Sequence, residues 1–438
     1  MTVPDWARPT RLWRSGLVRN ALGLYALQAS SWLVPLVTLL FLARRLGPDH
    51  WGSLVFMQAF ATYVIFLVSY GFNFSATREV ARHRDDSDRL ARLLAGVTGA
   101  KLLLALLAML IVIPVSVVVP AIARHQALLW PAMLWALTWS FSASWYYQGQ
   151  ERMTTAAACE TAARVLALAG ILLLVRSGDD TWRVLTIQGG LFLGAVALEM
   201  GIAYREVGFR MPDLQGAREA LRVGRDTFLL TGALSFYTIG NGFILGLFAP
   251  PASVGYFVGA ERISKNFATV LSPITLAVFP RTSHLASFAR HEAARLARTS
   301  LLLMGTVACV MGATVLLTAP LLVRLLLGPG FDNAVPVLRI LALLPPLVVV
   351  TNVLAVQWML ALGLDRSVNA VMVAASLLNI GLAIALVPHH REVGMAVAVV
   401  ASEALVTGGL YAVLRIKHLD PLTLARLGPG EAPMTATA

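Results

Sequence analysis

Twelve stretches, at about 20–43, 52–75, 93–117, 127–148, 154–175, 182–204, 227–249, 254–279, 299–322, 336–361, 368–387 and 393–414, are apolar enough to be membrane spans. Each holds roughly the 20 residues that cross a hydrocarbon layer about 30 Å thick. Inside lipid a backbone has no water to bond to, so stretches of this length satisfy their own amides only as α-helices. The expected class is therefore all-α and membrane-embedded. The divisions at 361–368 and 387–393 rest on short loops. Composition agrees: 58% of residues are hydrophobic and 13% are charged, against about 25% charged in soluble domains. A disordered chain, a soluble enzyme and a disulfide scaffold are all excluded; Cys159 and Cys309 lie in separate apolar runs.

A net charge of +12 would suggest nucleic acid in a soluble protein. Its distribution says otherwise. With the N-terminus inside, cytoplasmic segments hold 23 Arg and Lys, the opposite side holds 8, and Lys101, Arg164, Arg262 and Lys265 fall within spans. This asymmetry over short loops predicts both termini in the cytoplasm and no nucleic-acid partner. The resulting plan is a basic tail (1–19), a first six-helix bundle (20–204), a cytoplasmic linker (205–226), a second six-helix bundle (227–414) and a cytoplasmic tail (415–438), disordered from Arg426.

The two halves carry traces of a repeat. At an offset of 203 residues Pro48 meets Pro251, Gly52 meets Gly255, Val55 meets Val258, Ser69 meets Ser272 and Arg78 meets Arg281; Gln58 meets Glu261. Halves with an even number of spans are parallel repeats about an axis along the membrane normal. Two such bundles around a central cavity form a transporter architecture, although a duplicated scaffold would look the same.

Ionisable groups inside spans cost several kcal/mol and normally face a cavity or a partner. In the eighth span, Glu261, Arg262, Lys265, Thr269 and Ser272 share a sector of about 100°, with Ile263, Phe267, Val270 and Leu271 opposite. Glu261 and Lys265 are spaced to neutralise each other, which leaves Arg262 without an acid on its own helix. Glu160 and Arg164 repeat that spacing in the fifth span. Lys101 lies about 12 Å into the third span, so it either lines a cavity or snorkels. Glu403 has no cation within a turn, and either binds a proton or is a hydrogen-bonded structural acid. Glu199, near the end of the sixth span, reads as structural. The candidate ion-coupling groups are Glu403, Glu261 and Glu160.

Other chemistries find no residues to carry them. The eight histidines fall in loops or at span ends without chelating spacing, so no metal site is expected. No phosphate-binding Gly-rich loop occurs, and the interior loops are too short for a catalytic domain. No cofactor is expected.

Several runs are specific. Ala43–Gly52 (ARRLGPDHWG), Ser69–Ala81 (SYGFNFSATREVA), Tyr147–Met153 (YQGQERM), Val254–Ile263 (VGYFVGAERI), Phe279–Ser283 (FPRTS) and Gly328–Ala334 (GPGFDNA) resemble the signatures of Wzx-type polysaccharide repeat-unit flippases. These belong to the multidrug/oligosaccharidyl-lipid/polysaccharide exporter superfamily, and the resemblance runs the length of the chain. It implies twelve helices in two bundles. It also implies transfer of an undecaprenyl-diphosphate-linked oligosaccharide to the periplasmic leaflet of the bacterial inner membrane, for O-antigen or exopolysaccharide synthesis. The implied protein is not an enzyme, works as a monomer and partners a polymerase and other assembly proteins. The residue chemistry fits independently, because a bare diphosphate cannot cross hydrocarbon. Arg262, Lys265, Arg164 and Lys101 are the candidate counter-charges; Asn73, Asn241, Asn266 and Gln58 are candidates for hydrogen bonds to sugars. Competing readings are a drug/cation antiporter or peptidoglycan-precursor flippase of the same superfamily and, from another class, a membrane polymerase, ligase or acyltransferase.

Overall fold

The computed structural model describes the backbone of residues 16–425 and the side chains of residues 33–228, 240–275 and 277–425. The basic N-tail, the start of the expected span 20–43, much of the expected span 227–249 and the C-terminal tail from Arg426 therefore lie outside the described side chains. The described chain is almost wholly helical, and all twelve apolar stretches fall on helices or on short breaks between them. Seven helical segments among the described residues are long and apolar enough to cross a membrane. The chain is a multi-pass membrane protein.

Helix lengths depart from one helix per stretch, and local chemistry explains how. Helix α1 (Gly16–Ser69) carries two stretches, turned at Gly47, whose φ of 73° suits a residue without Cβ. Pro48 follows at the start of the second part, where its missing N–H costs nothing. The stretch expected at 52–75 ends early: Tyr70 and Gly71 both take positive φ, and α2 (Phe72–Arg82) begins beyond them. Next come α3 (Ser87–Val118), α4 (Gln126–Ser140), α5 (Ser144–Gly149), α6 (Met153–Leu174), α7 (Thr181–Val207) and α8 (Leu214–Phe248). The stretch at 127–148 is thus split at Phe141–Ala143. The stretch at 254–279 is split too, into α9 (Pro251–Thr269) and α10 (Ser272–Phe288). After α11 (Arg290–Leu326), the stretch at 336–361 divides into α12 (Ala334–Leu341), α13 (Leu344–Asn352) and a π-helical turn at Val353–Met359. Helix α14 (Asp365–Ile416) carries the last two stretches, separated by Arg391 at φ 46°.

The chain forms two compact units. The first comprises Met1–Leu46 with Met57–Gly232, and the second Gly47–Phe56 with Ala233–Ala438. In the first, α4 and α6 pack along α7, and α2 packs on α5. The α2–α5 contact is fixed by Thr77, whose hydroxyl donates to Trp145 O at 3.1 Å. Tyr70 stacks on Phe228 with centroids 4.5 Å apart.

In the second unit, α9 packs on α12 and α13, and α11 on α13. Segment 47–56 joins it through a reciprocal crossing. A Cβ built on Gly52 would stand 1.7 Å from Pro251 O, and one built on Gly255 would stand 2.6 Å from Pro48 O. These are the residues paired by the 203-residue repeat. Each of these glycines meets the carbonyl of the other segment's proline, a reciprocal contact within the second unit. Any larger residue at Gly52 would push the two backbones apart.

Candidate functional site

Helix α9 carries the charged run in the second unit. Lys265 Nζ lies 2.9 Å from Glu261 Oε1, the pair expected from their spacing, and Asn241 Nδ2 donates to the same oxygen at 3.3 Å. Glu261 is buried, whereas the Lys265 side chain is 47% exposed. Asn266 and Thr269 are exposed with it, while Ile263 and Leu271 are buried as expected. Val270, expected on the apolar side, is exposed. Ser264 anchors the helix by donating to Leu341 O at 2.6 Å.

Arg262 stands apart from this pair. Among the described residues no carboxylate lies within 4 Å of its guanidinium; Glu261 acts on it only at longer range. Its partner is the face of Trp51, with Cζ 5.3 Å from the ring centroid. That position suits a guanidinium, which an aromatic face attracts without neutralising. Trp51 is 1% exposed and its indole N–H finds no acceptor among the described residues. The crossing of Gly52 with Pro251 holds this ring in place. Sequence reasoning misses Trp51, because nothing in the chain around it marks it as a shelf for a residue 211 positions away. Glu403, expected to stand alone, is reached from another helix: its carboxylate attracts Lys265.

The first unit holds a different cluster, built around the break between α4 and α5. Breaking a helix frees carbonyls and amides that lipid cannot satisfy. Lys101 Nζ donates to Ser142 O at 3.1 Å, and Ala143 N donates to Glu199 Oε2 at 3.0 Å. Lys101 is 3% exposed, so it does not snorkel; Glu199 is fully buried. Ser142 Oγ reaches both Glu160 Oε1 and Glu199 Oε2 at 3.2 Å. Arg164 pairs with Glu160 at 3.1 Å and lies over Trp139, which stacks on Phe192. Glu160 and Arg164 thus form the pair their spacing predicts, but one tied into a larger network. Glu199 and Ser142 are the residues that sequence reasoning undervalues. The signal available is the polar run Ser140–Ser144 in the middle of an apolar stretch.

The structure does not gather the remaining candidates around either cluster. Asn73 is exposed on α2. Gln58 donates to Gln188 Oε1 at 3.5 Å within the first unit. No group of three or more His, Cys, Asp or Glu among the described residues has metal-binding geometry.

Comparison with known proteins gives this arrangement its context. Residues 17–286 match the family model described as "Polysaccharide biosynthesis protein". A protein of Escherichia coli (strain K12) is 31% identical over 408 residues, covering 92% of this chain and 98% of its own. A second, from Shigella dysenteriae, is 24% identical over 394 residues, covering 89% and 97%. Both are named "Putative O-antigen transporter". Among solved structures, the lipid II flippase MurJ in an inward closed conformation superposes with a TM-score of 0.66 at 12% identity, over 92% of this chain and 90% of MurJ. A multidrug resistance MATE family transporter of the MOP superfamily, facing inward, gives 0.65 at 17% identity, over 88% and 94%. The chain belongs to the polysaccharide biosynthesis protein family and has the fold of these two solved structures.

Proposed function

We propose that this member of the polysaccharide biosynthesis protein family is a flippase. It moves undecaprenyl-diphosphate-linked oligosaccharide repeat units from the cytoplasmic to the periplasmic leaflet of a bacterial inner membrane, by alternating access. Both termini lie in the cytoplasm, which the excess of Arg and Lys in those segments supports. The protein works as a monomer beside a polymerase and other polysaccharide-assembly proteins.

The observation that carries the reading is Arg262. A guanidinium within an apolar stretch, with an aromatic shelf and, among the described residues, no carboxylate within 4 Å, is a poor structural element and a good anion receptor. Lys265 is the second counter-charge, exposed beside it on α9. Two cations on adjacent turns match the two phosphates of a diphosphate; Asn266 supplies hydrogen bonds to the first sugar. Lys265 can exchange its contact with Glu261 for the phosphate while Asn241 keeps that carboxylate bonded. Glu261 and Glu403 both act on Lys265 and hold it until the phosphate takes their place. Lys101 and Arg164 are engaged in the first unit and play no part in holding the diphosphate in this reading.

The test is an Arg262→Ala, Lys265→Ala double variant in cells that depend on this protein for surface polysaccharide. Surface polymer should disappear and lipid-linked repeat units accumulate inside. Normal export by a well-expressed double variant would sink the cationic receptor.

A further inference from the structure

The cluster at the α4–α5 break has more hydrogen-bond contacts than its hydroxyl has protons. Ser142 Oγ stands 3.2 Å from a carboxylate oxygen of Glu160 and 3.2 Å from one of Glu199, and it already accepts Ser144 N–H at 3.1 Å. One hydroxyl donates one proton. It can satisfy one of the two carboxylates; the other contact is attractive only when that carboxyl carries a proton and donates it to Ser142 Oγ. Glu199 also has an oxygen, Oε1, that is buried without a hydrogen-bond partner among the described residues, in a side chain that is 0% exposed.

Charge counting defines what the proton changes. The groups facing Glu199 are Lys101 from α3, Glu160 with Cys159 from α6, and Tyr147 from α5, whose hydroxyl donates to Glu199 O at 2.7 Å. Helix α4 contributes no charge at this level. Arg164 neutralises Glu160 and Lys101 faces Glu199. With both carboxylates ionised the cluster is neutral; with one proton it carries +1. It sits against an apolar wall of Ala163, Phe192, Ala195 and Val196.

We infer that Glu160, Ser142 and Glu199 form a proton-holding site, and that its loading drives the transport cycle. The proton rests on one carboxyl, shared through the serine hydroxyl, and leaves when the break between α4 and α5 rearranges. Ser142 and Ala143 lie in that break: Glu199 accepts the Ala143 N–H and Lys101 donates to Ser142 O, so one carboxylate of the proton site also holds its backbone. Movement of the break and loss of the proton are therefore one event. The coupling half of this inference rests on the flippase reading above; the proton site does not.

Two measurements separate them. The first is an infrared titration of the purified protein, in light and heavy water. Wild type should show a buried protonated-carboxyl band that shifts in heavy water and bleaches as pH rises. The band should vanish in Glu199→Gln or Glu160→Gln, change frequency in Ser142→Ala, and persist in Glu151→Gln, whose carboxyl is on an exposed loop. A band that is missing from wild type, or that survives in both glutamine variants, overturns the site. Ser142→Ala keeps the test alive if either glutamine variant fails to fold.

The second measurement follows a labelled undecaprenyl-diphosphate disaccharide between leaflets of vesicles holding the protein, with and without a pH gradient. The gradient should accelerate wild type, and that increment should fall at least tenfold in Ser142→Ala. A wild-type rate indifferent to the gradient, or an increment kept by Ser142→Ala, overturns the coupling. Absence of any wild-type transfer overturns the flippase reading instead and the coupling with it; the infrared titration then still decides whether the proton site exists.

Discussion

The two units bury cations in opposite ways. In the first, Lys101 and Arg164 are both held by groups the fold itself needs satisfied: a carbonyl freed by a helix break and a carboxylate on the same helix. In the second, Lys265 is half exposed and Arg262 rests on an aromatic face with no carboxylate within 4 Å among the described residues. A cation that satisfies a buried backbone carbonyl is costly to remove. A cation on an aromatic face or in a half-exposed ion pair is cheaper to remove and can exchange its contact for a ligand. The difference assigns backbone satisfaction and proton chemistry to the first cluster, and anion binding to the second.

The sharpest way to break that comparison is to delete one cation from each unit. Lys101→Met leaves Ser142 O without its donor and Glu199 without its nearest positive charge, both buried. Leaving a buried polar group without its partner costs about 1–3 kcal/mol, more beside a charge, so thermal unfolding of the detergent-purified protein should show a clear drop. Arg262→Met removes one cation–π contact, worth about 1 kcal/mol, and should unfold close to wild type while failing to export polysaccharide. Equal destabilisation by the two variants would erase the distinction.

The second prediction concerns what holds Trp51 under Arg262. Gly52→Ala forces a methyl against Pro251 O, where an ideal Cβ would sit 1.7 Å away. Overpacking costs about 1–3 kcal/mol, and contact with a rigid carbonyl puts this case at the upper end. Gly381→Ala is the matched control, because nothing lies within 4 Å of its Cβ. Within α14 it should gain up to about 1 kcal/mol through helix propensity. If Gly52→Ala melts like Gly381→Ala, the crossing does not fix the shelf.

These contrasts show which features could be read from the chain. The membrane class, the apolar stretches and the Glu261–Lys265 and Glu160–Arg164 pairs were legible, because each depends on local composition or on residues one helical turn apart. The repeat offset located Gly52, Gly255 and their prolines, although only coordinates show that each glycine meets the other repeat's proline. Trp51 under Arg262, Glu199 at the α4–α5 break and Lys265 near Glu403 were not legible. Each joins residues separated by tens to hundreds of positions, and helix periodicity carries no information about which turn of a distant helix arrives alongside. The break at Val270–Leu271 was hidden for another reason: apolar residues continue through it, so hydropathy stays high where the backbone turns, whereas the serines of Ser140–Ser144 mark the break at Phe141–Ala143 only faintly within a long apolar stretch.

A third prediction tests whether Trp51 serves by its face or by its N–H. The indole nitrogen is buried with no acceptor among the described residues. Trp51→Phe keeps an aromatic face and removes an unsatisfied donor, offsetting some of the lost packing. Stability should stay within about 1.5 kcal/mol of wild type, the usual range for close hydrophobic swaps, and export should persist. Loss of export in a stable Trp51→Phe protein would mean that the N–H contacts the transported molecule, making the shelf part of the receptor.

The smallest effect belongs to an ion pair outside the membrane-spanning helices, and it isolates what burial contributes within the first unit. Arg84 Nη2 lies 2.7 Å from Glu151 Oε1, as close as any ion pair described, yet Glu151 is 73% exposed. The hydrogen bond from Arg84, and then its charge, hold the Glu151 carboxyl below its ordinary value of 4.5. A carboxylate whose pKa is depressed by folding contributes stability above its unfolded pKa and loses it as pH falls through the folded one. The unfolding difference between wild type and Glu151→Gln should therefore be small near neutrality and shrink as pH drops below about 4.5. It should also shrink with added salt, since solvent-exposed charges are screened. Lys101→Met should keep its full deficit in high salt, because its partners are out of reach of solvent ions. If salt rescues both variants alike, the Lys101 cluster is wet, and the contrast between a sealed first cluster and an accessible second one does not hold.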